Sequence, residues 1–274
     1  MNLAVVSLIN VNIRPYLVAF RLALSKALVY RANLLLGAIN VLIWFGTLIL
    51  IYRAVGGSLG SYSEAELVTY ILATSLMAAT LFNTGTQEQI ANEIVEGDLV
   101  NFLLRPINYF FYWVARGLAV RVVFLVIALA SVFILSQLVA DEILIPTDPA
   151  IITQTIALAI GSVVLMTVLD FIAAAFSFWT ERGFGPRWMF MICARFLSGA
   201  AFPIALMPGW AQTFFYSTPF PYLVGAPADS VIGKLGGEAF LQAMLMQWAW
   251  IAAALIVLAI LWRQGIKSYA AYGS

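Results

Sequence analysis

Histidine is absent from this chain, and cysteine occurs once, at Cys193. An intramolecular disulfide is therefore impossible, and the usual ligand sets for zinc, haem and iron–sulfur clusters are missing. Charge is scarce as well: 10% of the 274 residues are Asp, Glu, Lys or Arg, against about 25% in soluble domains. The formal net charge of +1 supplies no field that would draw the chain to nucleic acid or to an acidic substrate. No GxxxxGK[ST] phosphate loop occurs, since Gly233 and Lys234 are followed by Leu235. ATP hydrolysis by this chain is not expected, nor is any cofactor or metal site.

What is present is apolar surface. Hydrophobic residues make up 63% of the sequence and mean hydropathy is +0.97, well above the roughly 45–50% apolar content of soluble domains. A soluble core cannot hide that much, so a bilayer must serve as solvent for most of the chain. In a bilayer the backbone must satisfy its own hydrogen bonds, as helices or as a closed barrel. Barrel strands alternate polar and apolar residues; the long unbroken apolar runs here predict helices.

Crossing a hydrocarbon core of roughly 30 Å takes about 20 apolar residues. Six segments are expected to span: 32–52, 67–87, 109–140, 150–178, 188–207 and 239–262. Gly56, Gly57, Gly60 and Ser61 predict a short turn between the first two. All of 1–274 reads as one transmembrane domain, without an internal repeat of the kind found in inverted-repeat carriers. Residues 1–14 lack a basic leader, so insertion is expected to rest on the first span.

Basic residues set the orientation. Arg14, Arg21, Lys26 and Arg31 precede the first span; Arg105, Arg116 and Arg121 lie between or at the entry of the second and third. Arg182, Arg187 and Arg195 fall around the fourth-to-fifth link, and Arg263 and Lys267 in the tail. Only Arg53 and Lys234 fall on the other side, so both termini are expected in the cytoplasm.

Three segments stand apart from the spans. In 1–31, the part from Arg14 onward is too charged to cross yet rich in Leu, Val and Phe, which suits an amphipathic helix on the membrane surface. Residues 88–108 place Glu88, Glu93, Glu96 and Asp98 on the cytoplasmic side. A turn at Gly97 and Asp98 separates a helical stretch from the apolar Leu99, Phe102, Leu103 and Leu104. Exposed acidic and apolar residues together fit docking to a soluble partner. In 208–238 and just before it, Pro203, Pro208, Pro219, Pro221 and Pro227 forbid a continuous spanning helix. Broken backbone at membrane depth survives only when packed against protein or water, which predicts short re-entrant helices on the extracytoplasmic side. Within the spans Asp170 is the one acidic residue; it is expected to pair with Arg195, with Arg116 and Arg121 as the other candidates.

The run EGDLVNFLLRPINYFFY at 96–112 resembles a bacterial permease family in the second broad class of ABC exporters, which includes drug-resistance and polysaccharide-export permeases. The resemblance continues in FSFWTERG at 176–183 and in FPIALMPGW and TPFPYLVGAPA within 202–228. It implies an all-α integral membrane fold of the type V exporter kind: six spans, an amphipathic connecting helix, a coupling helix between spans two and three, and re-entrant helices between spans five and six. It also implies an ATPase-coupling role for Glu93, Glu96, Gly97, Asp98 and Leu99. Implied partners are separate ABC ATPase subunits that carry ATP and magnesium, a second permease copy or relative, and membrane lipid, in a bacterial inner membrane. The rival class is a motorless secondary carrier, which would need several ionisable groups at mid-membrane; Asp170 stands nearly alone there.

Overall fold

The structure is a computed structural model that describes residues 13–29, 31–54, 60–139, 143–180 and 184–272. Residues 1–12 of the expected arm, the turn at Gly56 and Gly57, and Arg182 lie outside the described residues. Those that are described form an all-α bundle.

The first helix, α1 (Arg14–Val29), lies against α6 (Tyr109–Leu138), with Tyr16 edge-on to Phe111 at 6.2 Å and accepting the Asn108 backbone N–H at 3.1 Å. Its Ala19 and Ala23 are buried while Leu17, Val18, Leu22 and Leu28 are exposed.

Next comes α2 (Arg31–Ala54), 24 residues and about 36 Å long, followed by α3 (Glu64–Phe82). A capping box starts α3: the Ser63 hydroxyl accepts the Glu66 N–H while Glu66 accepts the Ser63 N–H at 2.7 Å. Helical order lapses at 83–85 and resumes as α4 (Thr86–Val95); Gly85, at φ +62°, provides the left-handed residue. A second left-handed glycine, Gly97 at φ +88°, turns the chain into the short α5 (Leu99–Leu103).

The Asn108 side chain caps α6 by accepting the Phe111 N–H, and Asp148 caps α7 (Pro149–Ala175), which has Pro149 at its first position. A 3₁₀ turn at Phe176–Phe178 ends α7. The fifth expected span, 188–207, is shorter than its apolar run: α8 (Phe184–Leu197) has 14 residues, about 21 Å. It stops before Gly199, whose φ of +78° takes the backbone out of the helical region. Short elements follow, α9 (Gly209–Tyr216) and α10 (Gly225–Val231), and then α11 (Glu238–Tyr272), whose 35 residues run about 52 Å.

By length and composition, four stretches among the described residues are able to cross a membrane: Glu64–Val95, Tyr109–Gln137, Pro149–Phe178 and Glu238–Tyr269. Leu35–Ile51 and Trp188–Leu197 are apolar but shorter.

The core is organised around α7 and α11. Tyr109, Phe171, Phe178 and Trp262 form an aromatic group, with Tyr109 and Trp262 stacked at 5.5 Å. Two glycines allow the approach. Gly265 leaves its place to the Phe178 ring, and Gly161 leaves its place to Gln247. The Gln247 amide donates to the carbonyls of Leu158 at 3.0 Å and Tyr222 at 2.8 Å, tying α11 to α7 and to the chain before α10. The outward faces carry large exposed apolar groups, among them Val126 and Phe133 on α6 and Leu245 and Ile256 on α11. Apolar surface on that scale belongs in lipid or against a partner.

Candidate functional site

The acidic segment after α4 is divided by the structure. Glu96, Gly97 and Asp98 are exposed at the tip, flanked by the exposed apolar Val95, Val100 and Leu104. Glu93 and Leu99 are not part of that surface. Leu99 is fully buried, and the Glu93 carboxylate turns inward to accept the Tyr109 hydroxyl at 2.8 Å and the Trp113 indole N–H at 3.0 Å. Arg116 covers this cluster, 4.3 Å over the Trp113 ring, and donates to Gln89 and to the Tyr112 hydroxyl. The reason is the apolar period of α4: Ile90, Ala91 and Ile94 seat the helix in the bundle, and Glu93 is carried to a place where only long-range donors satisfy it. The far end of α11 reaches the same tip, since Tyr269 comes close to Gly97.

Asp170 does not pair with Arg195. Its carboxylate meets Arg121 of α6 at 2.9 Å, both side chains almost wholly buried, and the same guanidinium donates to Thr167 at 2.9 Å. Depth along the helices is shared by several arginines, but α7 turns Asp170 toward α6. Arg195 points to α3 instead. It donates to the Asn83 side-chain oxygen at 3.2 Å and lies 5.6 Å over the Phe82 ring.

Arg195 also borders an open cavity of about 240 Å³ between α2, α3 and α8. Val41 and Trp44 line it from α2, Ser75 and Ala79 from α3, and Ile192 and Phe196 from α8. The sequence reading missed this cavity, because which faces of three distant apolar helices meet is not a local property. The available signal was a lone arginine within the apolar Trp188–Leu197.

At the opposite end, Tyr62 donates to Asp229 of α10 at 3.2 Å, and the Lys234 ammonium sits 3.6 Å over the Tyr62 ring. Lys234 also donates to the Ser61 carbonyl at 2.7 Å and lies 3.5 Å from the Glu66 carboxylate. Burial pushes the Asp229 carboxyl up to about 7, against the opposing effects of the Tyr62 hydrogen bond and of Lys234. The Tyr62 hydroxyl is pushed up by burial and by Asp229. This latch ties the entry of α3 to the broken segment before α11. Among the described residues no three His, Cys, Asp or Glu side chains group as a metal site.

Apolar helices of spanning length, packed through a buried ion pair, define a polytopic membrane protein. Residues 38–273 match the model of the ABC-2 family transporter protein family. The chain belongs to that family and is a membrane permease component of an ABC transporter. No curated protein matches it.

Proposed function

We propose that this chain is the membrane-spanning subunit of an ATP-driven exporter in a bacterial inner membrane, with both termini cytoplasmic. Two permeases, identical or related, form the pathway, and two separate cytoplasmic ATPases bind the ATP and magnesium. In this reading α2, α3 with α4, α6, α7, α8 with its continuation to 207, and α11 are the six membrane passages, while α9 and α10 are re-entrant. Glu96, Gly97 and Asp98 make the ATPase contact, and Glu93 and Leu99 hold α4 and α5 so that the tip is presented.

The observation that carries the reading is the exposed tip at 96–98, on the segment expected to face the cytoplasm, in a chain of the ABC-2 family. An acidic tip beside apolar side chains is poorly suited to anionic lipid and well suited to a groove on a soluble protein. Because α4 continues the span of α3 through 83–85, a push at the tip is delivered into the membrane as a hinge or rigid-body movement.

Affinity purification of the tagged chain in mild detergent, with ATPase assay and mass spectrometry, tests this. Co-purification of an ABC ATPase, lost on Glu96→Arg with Asp98→Arg, is the expected result. A chain that purifies alone, with transport driven by an ion gradient, would replace the exporter with a motorless carrier.

A further inference from the structure

Arg195 lies eleven residues, about 16 Å, along α8 from Phe184, in an apolar stretch and at the edge of an apolar cavity. A lone cation inside a spanning region is costly, and such residues pair with an anion or face a water-filled space. The contacts Arg195 makes here, Asn83 and the Phe82 ring, are neutral.

Among the described residues, no carboxylate lies within ion-pair distance of Arg195. Asp170 is held by Arg121, Glu93 by Tyr109 and Trp113, Asp229 by Tyr62, and Glu66 by Lys234 and its cap. Glu64, Glu88, Glu96, Asp98, Asp148 and Glu238 are exposed at helix ends or turns. Arg195 is exposed at the rim of the cavity with only neutral partners among the described residues, which leaves it open to an anion from outside the polypeptide.

The cavity states what accompanies that charge. Its walls are mainly Val41, Trp44, Ala79, Ile192 and Phe196. Its volume, about 240 Å³, lies just below the roughly 300 Å³ at which small-molecule sites begin. It has room for part of an alkyl chain and one headgroup.

We propose that this cavity binds an amphiphile with an anionic, phosphate-like headgroup, Arg195 taking the headgroup and the α2 and α8 side chains taking the alkyl chain. The inference rests on the permease reading and deepens it by naming a substrate class. Two sources share this chemistry, a bilayer phospholipid and a dedicated single-chain cargo. Arg195 also holds Asn83, the first residue of the break between α3 and α4. A headgroup on Arg195 therefore acts beside the joint that leads to the acidic tip.

The test is binding of terminally brominated dodecyl phosphate to the purified full chain in phosphatidylcholine nanodiscs, read by quenching of Trp44, with Trp44→Phe as the blank. Saturable quenching absent from Trp44→Phe is expected, with brominated dodecyl-trimethylammonium giving none. Arg195→Gln should weaken binding about ten- to a hundredfold, the loss of a hydrogen-bonded charge pair, and Arg195→Lys should keep most of it. Displacement of the probe by phosphatidylglycerol in the disc assigns the bilayer as source; failure to displace it assigns a dedicated cargo, and the headgroup role stands in both cases. Equal quenching by both headgroups, unchanged binding in Arg195→Gln, or a Trp44 that no probe reaches would overturn the proposal. Should Arg195→Gln not fold, the headgroup comparison on the unaltered chain decides. The assay needs no ATPase, so its failure is distinct from failure of the exporter reading.

Discussion

Asp170→Asn in the buried pair with Arg121 should be among the most damaging single substitutions in the membrane region. The change is isosteric, so packing is kept and only the charge is lost. Both side chains are almost wholly buried and the bond is 2.9 Å long, so no water stands ready to solvate a guanidinium left alone. Removing one member of such a pair costs about 3–5 kcal/mol. The two halves are unequal. A carboxyl stranded by Arg121→Met becomes neutral by taking up a proton, whereas a guanidinium stranded by Asp170→Asn stays charged. Asp170→Asn should therefore fall at the upper end of that range and Arg121→Met at the lower. Combining the two changes, Arg121→Met with Asp170→Asn, removes the charge altogether and should recover all but about 1–3 kcal/mol, the cost of an unpaired buried amide, giving a coupling energy of at least about 2 kcal/mol. Equilibrium unfolding in mixed micelles, followed by tryptophan fluorescence, measures all four corners of the cycle. Additive effects of the two single changes would refute the pairing, as would an Arg195 variant that rescues Asp170→Asn.

Other consequences are separable by assay. Glu96→Ala with Asp98→Ala should abolish ATPase capture while leaving the thermal unfolding midpoint unchanged. Glu93→Ala should lower that midpoint, because two buried donors lose their acceptor, at about 1–3 kcal/mol each; an unchanged midpoint would mean that Glu93 faces outward. A methyl group on Gly161 overlaps the Gln247 amide, so Gly161→Ala should cost about 1–3 kcal/mol, and adding Gln247→Ala should reduce that cost; a neutral Gly161→Ala refutes the close approach. At the latch of Tyr62, Asp229 and Lys234, the raised Asp229 carboxyl means that the folded chain holds a proton the unfolded chain releases. Its stabilising effect is full below about pH 4 and is lost as pH rises to about 7. Asp229→Asn should flatten the pH dependence of unfolding across that window, and an unaltered slope would count against it.

Much of the architecture was legible because bilayer solvation imposes long apolar runs, and such runs survive without alignment or context. Gly97 as a turn is likewise a local signal with a local outcome. What escaped was rotation about helix axes. Glu93 looks solvated in its own sequence neighbourhood; its donors, Tyr109 and Trp113, belong to the next long helix. Asp170 had several arginines at comparable depth, and only the facing of α6 and α7 selects Arg121. The early end of α8 was written in Ser198 and Gly199, yet the apolar run continues past them to Pro203, and apolarity alone overestimates helix length. The cavity beside Arg195 needs three helices to be assembled before it exists.

The Arg121–Asp170 pair also has an electrical side. As a unit it is neutral, so a movement that carries α6 and α7 together does no work against the membrane potential. Arg195 is different. Any displacement of α8 along the membrane normal moves a positive charge, which has only neutral partners among the described residues, through part of the field, and a full crossing is worth about 2.3 kcal/mol per 100 mV. An anionic headgroup on Arg195 cancels that charge, so the loaded cavity moves without electrical work while the empty one feels the field.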